Sequence, residues 1–136
     1  MRLSSLADYA VVVMSAAARH GADARLSATS LASETGVPLP TAQKVMGKMA
    51  GAGLLTSARG AGGGFMLARP VEEISVADIV EAVEGPIAMT ACVEGRRDCE
   101  LEGNCRMKPH WGVVNSAVKG ALAGVTLAAL TGKVVA

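Results

Sequence analysis

LLTSARGAGGGFMLARP, residues 54–70, narrows the choice of folds more than any other stretch of this chain. Two short apolar runs, Leu54 to Ala58 and Phe65 to Ala68, flank a glycine-rich tip at Gly60 to Gly64. Runs of this kind, joined by glycines, read as a β-hairpin. A phosphate-cradling loop does not fit, because no lysine follows the glycines and no helix opens directly after them. The hairpin sits between stretches of helical periodicity, so the expected fold is mainly α with one small β element.

Composition agrees. Half of the 136 residues are apolar (51%), yet Tyr9, Phe65 and Trp111 are the only aromatics. The core is therefore expected from Ala, Val, Leu and Met, which favours closely packed helices over a β-sandwich. The length suits one domain, or a small domain with a helical extension.

LSSLADYAVVVMSAAARHG predicts a first helix, capped by Ser4 or Ser5 and stopped by Gly21, with Leu6, Ala10, Val13, Met14 and Ala17 at helical spacing. RLSATSLASETGV predicts a short second helix, with Ser27 as cap and Gly36 in the turn after it. PLPTAQKVMGKMAGAGLL predicts a third. Pro38 and Pro40 are tolerable only in its first turn, Val45, Met49 and Leu54 or Leu55 face inward, and Thr41, Gln43, Lys44 and Lys48 form the polar side. Helix, short helix, glycine turn and polar-faced helix make a helix-turn-helix pattern, and the hairpin would be its wing, with Arg59 at the tip. A fourth helix is expected in EEISVADIVEAVEG, with Ser75 as cap, Ile74, Ile79, Val80 and Val83 apolar, and Gly85-Pro86 ending it. HWGVVNSAVKGALAGVTLAALTG predicts one long last helix with a stripe of Trp111, Val114, Val118, Ala121 or Leu122, Val125 and Ala129. So much apolar surface there suggests pairing with a second copy.

Charge is uneven. Residues 1–70 carry seven Lys/Arg against three Asp/Glu, and residues 71–136 carry six against nine. No acid occurs between Glu34 and Glu72, while Lys44, Lys48, Arg59 and Arg69 all lie there, a balance suited to a polyanion. The apolar run at 120–130 is too short for a membrane span, which needs roughly 20 residues. No export leader of the usual kind is visible. With an odd number of cysteines, this points to a reducing cytoplasm rather than a disulfide framework.

Those cysteines all fall in ACVEGRRDCELEGNCRMKPHW: Cys92, Cys99 and Cys105 in a C-x6-C-x5-C pattern, with His110 beyond. Gly95 and Gly103 supply turns, and Arg96, Arg97, Arg106 and Lys108 offset thiolate charge. Structural zinc usually takes tighter knuckles. A catalytic cysteine would need one activated thiol with a base, and a redox disulfide switch stays open. A metal or cluster site is the favoured reading of the three.

Taken together, MRLSSLADYA, AGLLTSARGAGGGFMLARP, ISVADIVEAVEG and the cysteine triplet closely resemble the Rrf2 family of bacterial transcription regulators, from Met1 to about Leu130. The resemblance implies a cytoplasmic homodimer that binds promoter DNA and is neither an enzyme nor membrane-bound. It divides the chain into a winged helix-turn-helix domain (1–70), a connecting helix (71–91), a cluster-binding loop (92–110) and a dimerisation helix (111–136). Carried over, Cys92, Cys99 and Cys105 ligate an iron–sulfur cluster. The helix from Pro40 to Ala50 is the recognition helix, with Thr41, Gln43 and Lys44 near base edges or phosphates and Lys48 on the backbone. Arg59 enters the minor groove.

The chain departs from the family in places. Members of the IscR type have a shorter first gap and a histidine nearer the third cysteine. The resemblance implies as fourth ligand His110, with a 2Fe–2S cluster, or Asp8 of the partner subunit, as in NsrR-like members with a 4Fe–4S cluster; His110 is favoured. Pro40 also replaces a residue able to touch DNA through its side chain. The function implied is cluster-dependent control of iron–sulfur assembly (SUF/ISC) genes. The alternatives are a nitric-oxide- or iron-responsive repressor of the same family and a cluster-free thiol redox switch.

Overall fold

Ser4 starts the first helix by accepting the Ala7 amide on its side chain at 3.1 Å, one of the donors a helix N-terminus leaves without an intrahelical partner. The computed structural model describes residues 4–57, 64–87 and 108–131, the side chains of 108–111 excepted. Helix α1 runs Ser5–Arg19 and ends at His20, whose amide donates back to Ala17. Its buried face is Ala7, Ala10, Val13, Met14, Ala16 and Ala17. Helix α2, Ala28–Thr35, is capped by Ser27 and closed by Gly36 in the left-handed region at φ 81°, where a side chain would be strained. Helix α3, Leu39–Gly51, is separated from the end of α2 by three residues; Pro38 precedes it and Pro40 lies in its first turn, where no amide donor is required.

Ala42, Val45, Met46 and Met49 of α3 are buried against α1 and α2. The chain then forms strands β1 (Leu55–Ser57) and β2 (Phe65–Leu67), antiparallel with Leu55 opposite Leu67 and Ser57 opposite Phe65. These strands are shorter than the sequence runs, and Ala58 and the tip residues 60–63 lie outside the described residues. Leu26 joins β2 as a single-residue third strand: Leu26 and Phe65 exchange both backbone hydrogen bonds, each 2.7 Å.

A 3-10 turn at Val71–Glu73 leads to helix α4, Val76–Glu84. Ser75 and Asp78 form a reciprocal capping box, each side chain bonding the other's amide. Helix α5 is Lys108–Ala123 and helix α6 is Leu127–Thr131.

The last two helices correct the expectation of one continuous helix to the C-terminus. The helix breaks at Gly124 to Thr126, and Thr126 bridges Ser75: Val76 N donates to Val125 O at 2.9 Å and Leu127 N to Ile74 O at 2.7 Å. Val76 is the first residue of α4, so its amide has no acceptor inside that helix. The Val125 carbonyl supplies one, which continuing α5 would forbid. Leu127 then enters the main core at 0% exposure. Val125 and Ala129 therefore do not extend a stripe begun on α5.

The core is aliphatic, as composition suggests. Met14, Leu31, Met46, Met49, Leu54, Ile74, Ile79 and Leu127 are all under 2% exposed, and each such side chain contributes about 1.5–3 kcal/mol by leaving water. A second, smaller cluster of Ala77, Val80 and Ile87 packs with Leu122 and joins α4 to α5.

Candidate nucleic-acid interface and the cysteine-bearing segment

With Val45, Met46 and Met49 fixed in the core, the 3.6-residue period turns Leu39, Pro40, Gln43, Lys44 and Gly47 of α3 outward, and all five are exposed. Thr41 and Lys48, predicted to share this polar side, are half-buried at its edges. Leu39 is 38% exposed and is the only large apolar side chain so exposed among the described residues from 20 to 87.

Electrostatics favour an anionic partner at this face. Helix α3 carries no acid, and α2 carries one, Glu34. His20 Nε2 lies 2.6 Å from Glu34 Oε2, so that carboxylate is engaged with the end of α1. The exposed hydroxyls of Thr29, Ser30 and Ser33 complete the outer surface of α2. Arg69, after the hairpin, stands 3.7 Å from Asp78, and its buried Nε has no partner among the described residues.

The hairpin is aimed by its base. Gly64 has φ 115°, and a Cβ there would lie 2.8 Å from Leu26 O. Only glycine allows β2 to approach the Leu26 backbone closely enough for the two 2.7 Å bonds. Those bonds and the pairing of Leu55 with Leu67 fix where the chain leaves and re-enters the tip. Arg59, the residue expected to act there, lies outside the described residues.

So do Cys92, Cys99 and Cys105. What is described is the pair of attachments on either side of them. Asn115 Nδ2 donates to Ile87 O at 2.8 Å, and Lys119 Nζ meets Glu81 Oε1 at 3.3 Å. Lys108 begins α5 two turns before Asn115, roughly 10 Å along the axis. Ile87, after which segment 88–107 begins, is thus fixed to the joint between α4 and α5. Of the two candidate fourth ligands, Asp8 is exposed in the first turn of α1 and His110 falls in the first turn of α5. Among the described residues no three His, Cys, Asp or Glu converge.

Sequence reasoning missed Asn115, taking Val114 and Val118 as the inward face; Val114 is 38% exposed while Asn115 is 8%. A lone amide among valines and alanines was the available signal. The Leu26 bridge left no local signature.

This arrangement, two helices and a glycine turn presenting an acid-free helix beside a hairpin, defines a winged-helix protein. The chain matches the Rrf2 family, described as an iron-dependent transcriptional regulator, over residues 3–133. IscR of Photobacterium profundum, an HTH-type transcriptional regulator, is 31% identical over 130 residues, covering 96% of this chain and 75% of its own. Among solved structures, CymR, the global cysteine regulator of B. subtilis, superposes with TM-score 0.74 at 27% identity, covering 96% of each chain. T. potens IscR gives TM-score 0.72 at 28% identity over 96% of this chain and 85% of its own. The oxidized form of Staphylococcus aureus CymR gives 0.74 at 28% over all of both chains.

The chain belongs to the Rrf2 family. It is a transcription regulator of the DNA-binding, winged-helix kind and not an enzyme. No helix among the described residues is long and apolar enough to cross a membrane.

Proposed function

We propose that this protein is an iron–sulfur-cluster-dependent regulator of promoter DNA, acting as a homodimer, with iron–sulfur assembly genes as its targets. The observation that carries the reading is the donor set: three cysteines within residues 92–105, in a stretch that follows Ile87, whose carbonyl is held by Asn115. Three thiolates flanked by Arg96, Arg97 and Arg106 suit the ligands and charge of such a cluster. Cys92, Cys99 and Cys105 would hold it, with His110 or Asp8 as fourth ligand and 2Fe–2S favoured over 4Fe–4S. When bound, the cluster supplies a cross-link that oxidant, nitric oxide or iron shortage removes.

The rest is the work of the chain itself. Gln43 donates to and accepts from an adenine edge, Lys44 and Lys48 meet phosphates, Thr41 contacts the backbone from the rim, and Arg59 enters the minor groove. Val113, 71% exposed, and Val114 on α5, with Tyr9 and Val12 on α1, offer apolar surface for the second protomer. Dimerisation sets two copies of α3 about 34 Å apart to match half-sites one helical turn apart. Because α4 joins the DNA-binding core to α5, a cross-link made or lost between the cysteines would be felt at that spacing. A change of only ~2–3 kcal/mol alters occupancy more than tenfold.

The test is binding to an operator selected from random duplexes, by anaerobic protein before and after its iron is removed. A change in affinity or in the selected sequence supports the reading. Identical binding in both states opposes it.

A second reading, a cluster-free thiol switch, is favoured by the likeness to the oxidized form of S. aureus CymR. In it Cys92, Cys99 or Cys105 would report oxidant by forming a disulfide, and no iron would be bound. Nitric oxide or iron as the physiological signal would leave the first reading's chemistry unchanged.

A further inference from the structure

Leu39 is placed where a DNA-binding helix meets base edges, and it is the wrong kind of residue for solvent. It is the first residue of α3, lies between Pro38 and Pro40, and is 38% exposed. Exposed apolar side chains occur singly on most proteins, so exposure alone decides nothing. Three further observations do.

Leu39 and Gln43 stand four residues apart on one exposed face of α3, with Lys44 beside them. Helical side chains lean toward the N-terminus, so Leu39 projects at the tip of α3. The N-terminal residues of a recognition helix are the ones that reach base edges. The prolines hold the backbone on either side in place, so little freedom is lost on contact. Finally, the surrounding face is acid-free and carries Lys44, which complements phosphate on either side of a groove.

From this we infer that Leu39 reads a thymine 5-methyl group in the major groove, beside the base pair that Gln43 contacts. The inference rests on the DNA-binding reading and adds a specificity determinant to it. The thymine methyl is the one apolar feature among major-groove base edges. A leucine there selects T·A at a position where no hydrogen bond is made. Gln43 favours adenine, so each half-site contains an A·T-rich step under the start of α3. Pro40, adjacent and also exposed, adds apolar surface without competing for a hydrogen bond.

The experiment starts from a duplex selected from a random pool by the full-length protein. Each thymine of one half-site is then replaced in turn by uracil, which lacks only the methyl group. The expected result is one position where wild-type protein loses about fourfold in affinity, the worth of one buried methyl. Leu39→Ala should lose about as much on the thymine duplex and be indifferent to uracil at that position. Gln43→Ala should bind weakly but keep its sensitivity to the methyl. A flat uracil scan with wild type, or undiminished sensitivity in Leu39→Ala, overturns the contact while leaving DNA binding intact. A pool that yields no preferred sequence overturns the DNA-binding reading itself, and the Leu39 contact with it.

Discussion

Asn115 Nδ2 donates to the carbonyl oxygen of Ile87 at 2.8 Å, tying the middle of α5 to the residue at which segment 88–107 departs. Asn115 is 8% exposed, and Ile87 belongs to the small apolar cluster of Ala77, Val80 and Leu122. A buried amide in such a place is stable only while its partners are kept. Replacing it with leucine leaves the Ile87 carbonyl without this donor, and the expected loss of stability is about 1–3 kcal/mol by urea unfolding. Lys119→Ala, which removes the ion pair with Glu81 on the same joint, should cost under about 1 kcal/mol, because the Lys119 side chain is half exposed to solvent. Equal costs for the two variants would contradict the role given to Asn115.

Gly64→Ala should detach the hairpin from Leu26. The added Cβ would meet Leu26 O at 2.8 Å, on a residue whose φ of 115° disfavours any side chain. The expected effect is roughly 1–3 kcal/mol of destabilisation from the strained conformation. Faster hydrogen exchange of the Leu26 and Phe65 amides should accompany it, and unchanged protection at both would show that the hairpin base tolerates the methyl.

Lys44→Ala and Gln43→Ala should fail differently on DNA. Loss of a phosphate contact weakens binding to all sequences alike and lowers the salt slope by about 1. Loss of a base contact costs about 1–3 kcal/mol on the preferred duplex and relaxes preference at one position. Titrations at several salt concentrations separate the two, and a sequence-dependent effect of Lys44→Ala would reassign it.

Arg59→Ala and Cys99→Ser are expected to separate the two halves of the account. The first should weaken DNA binding while iron content stays as in wild type. The second should lower iron content while the apo protein keeps its fold by circular dichroism. Unchanged iron in Cys99→Ser would remove Cys99 from the ligand set.

Local signals were well conserved between sequence and structure where the chemistry is itself local. Ser4, Ser27 and Ser75 cap helices as expected, and Gly36 and Gly85 end them, because a cap depends on three or four neighbouring residues. Val13 and Met14 of α1 and Val45 and Met49 of α3 followed from period, whereas the equally buried Ala7, Ala16, Ala42 and Met46 did not. The break at Gly124 to Thr126 did not, since it depends on the unmatched amide of Val76, fifty residues away in the chain. Thr41 and Lys48 were assigned to the polar side from type, yet both lie half-buried, at the margin where the helix face meets its neighbours. The exposed, acid-free face of α3 was legible because charge and period coincide there. The bond between Asn115 and Ile87 was not legible, because a single buried amide leaves no periodic trace.

Everything proposed for segment 88–107 depends on Cys92, Cys99 and Cys105 holding one iron–sulfur cluster. The direct test is visible absorption together with iron and sulfide analysis of protein purified without oxygen. A coloured protein with iron and acid-labile sulfide in matched amounts, lost together in Cys99→Ser, is the result predicted. A colourless protein that stays colourless after anaerobic reconstitution would contradict the claim and leave a DNA-binding regulator with a thiol switch.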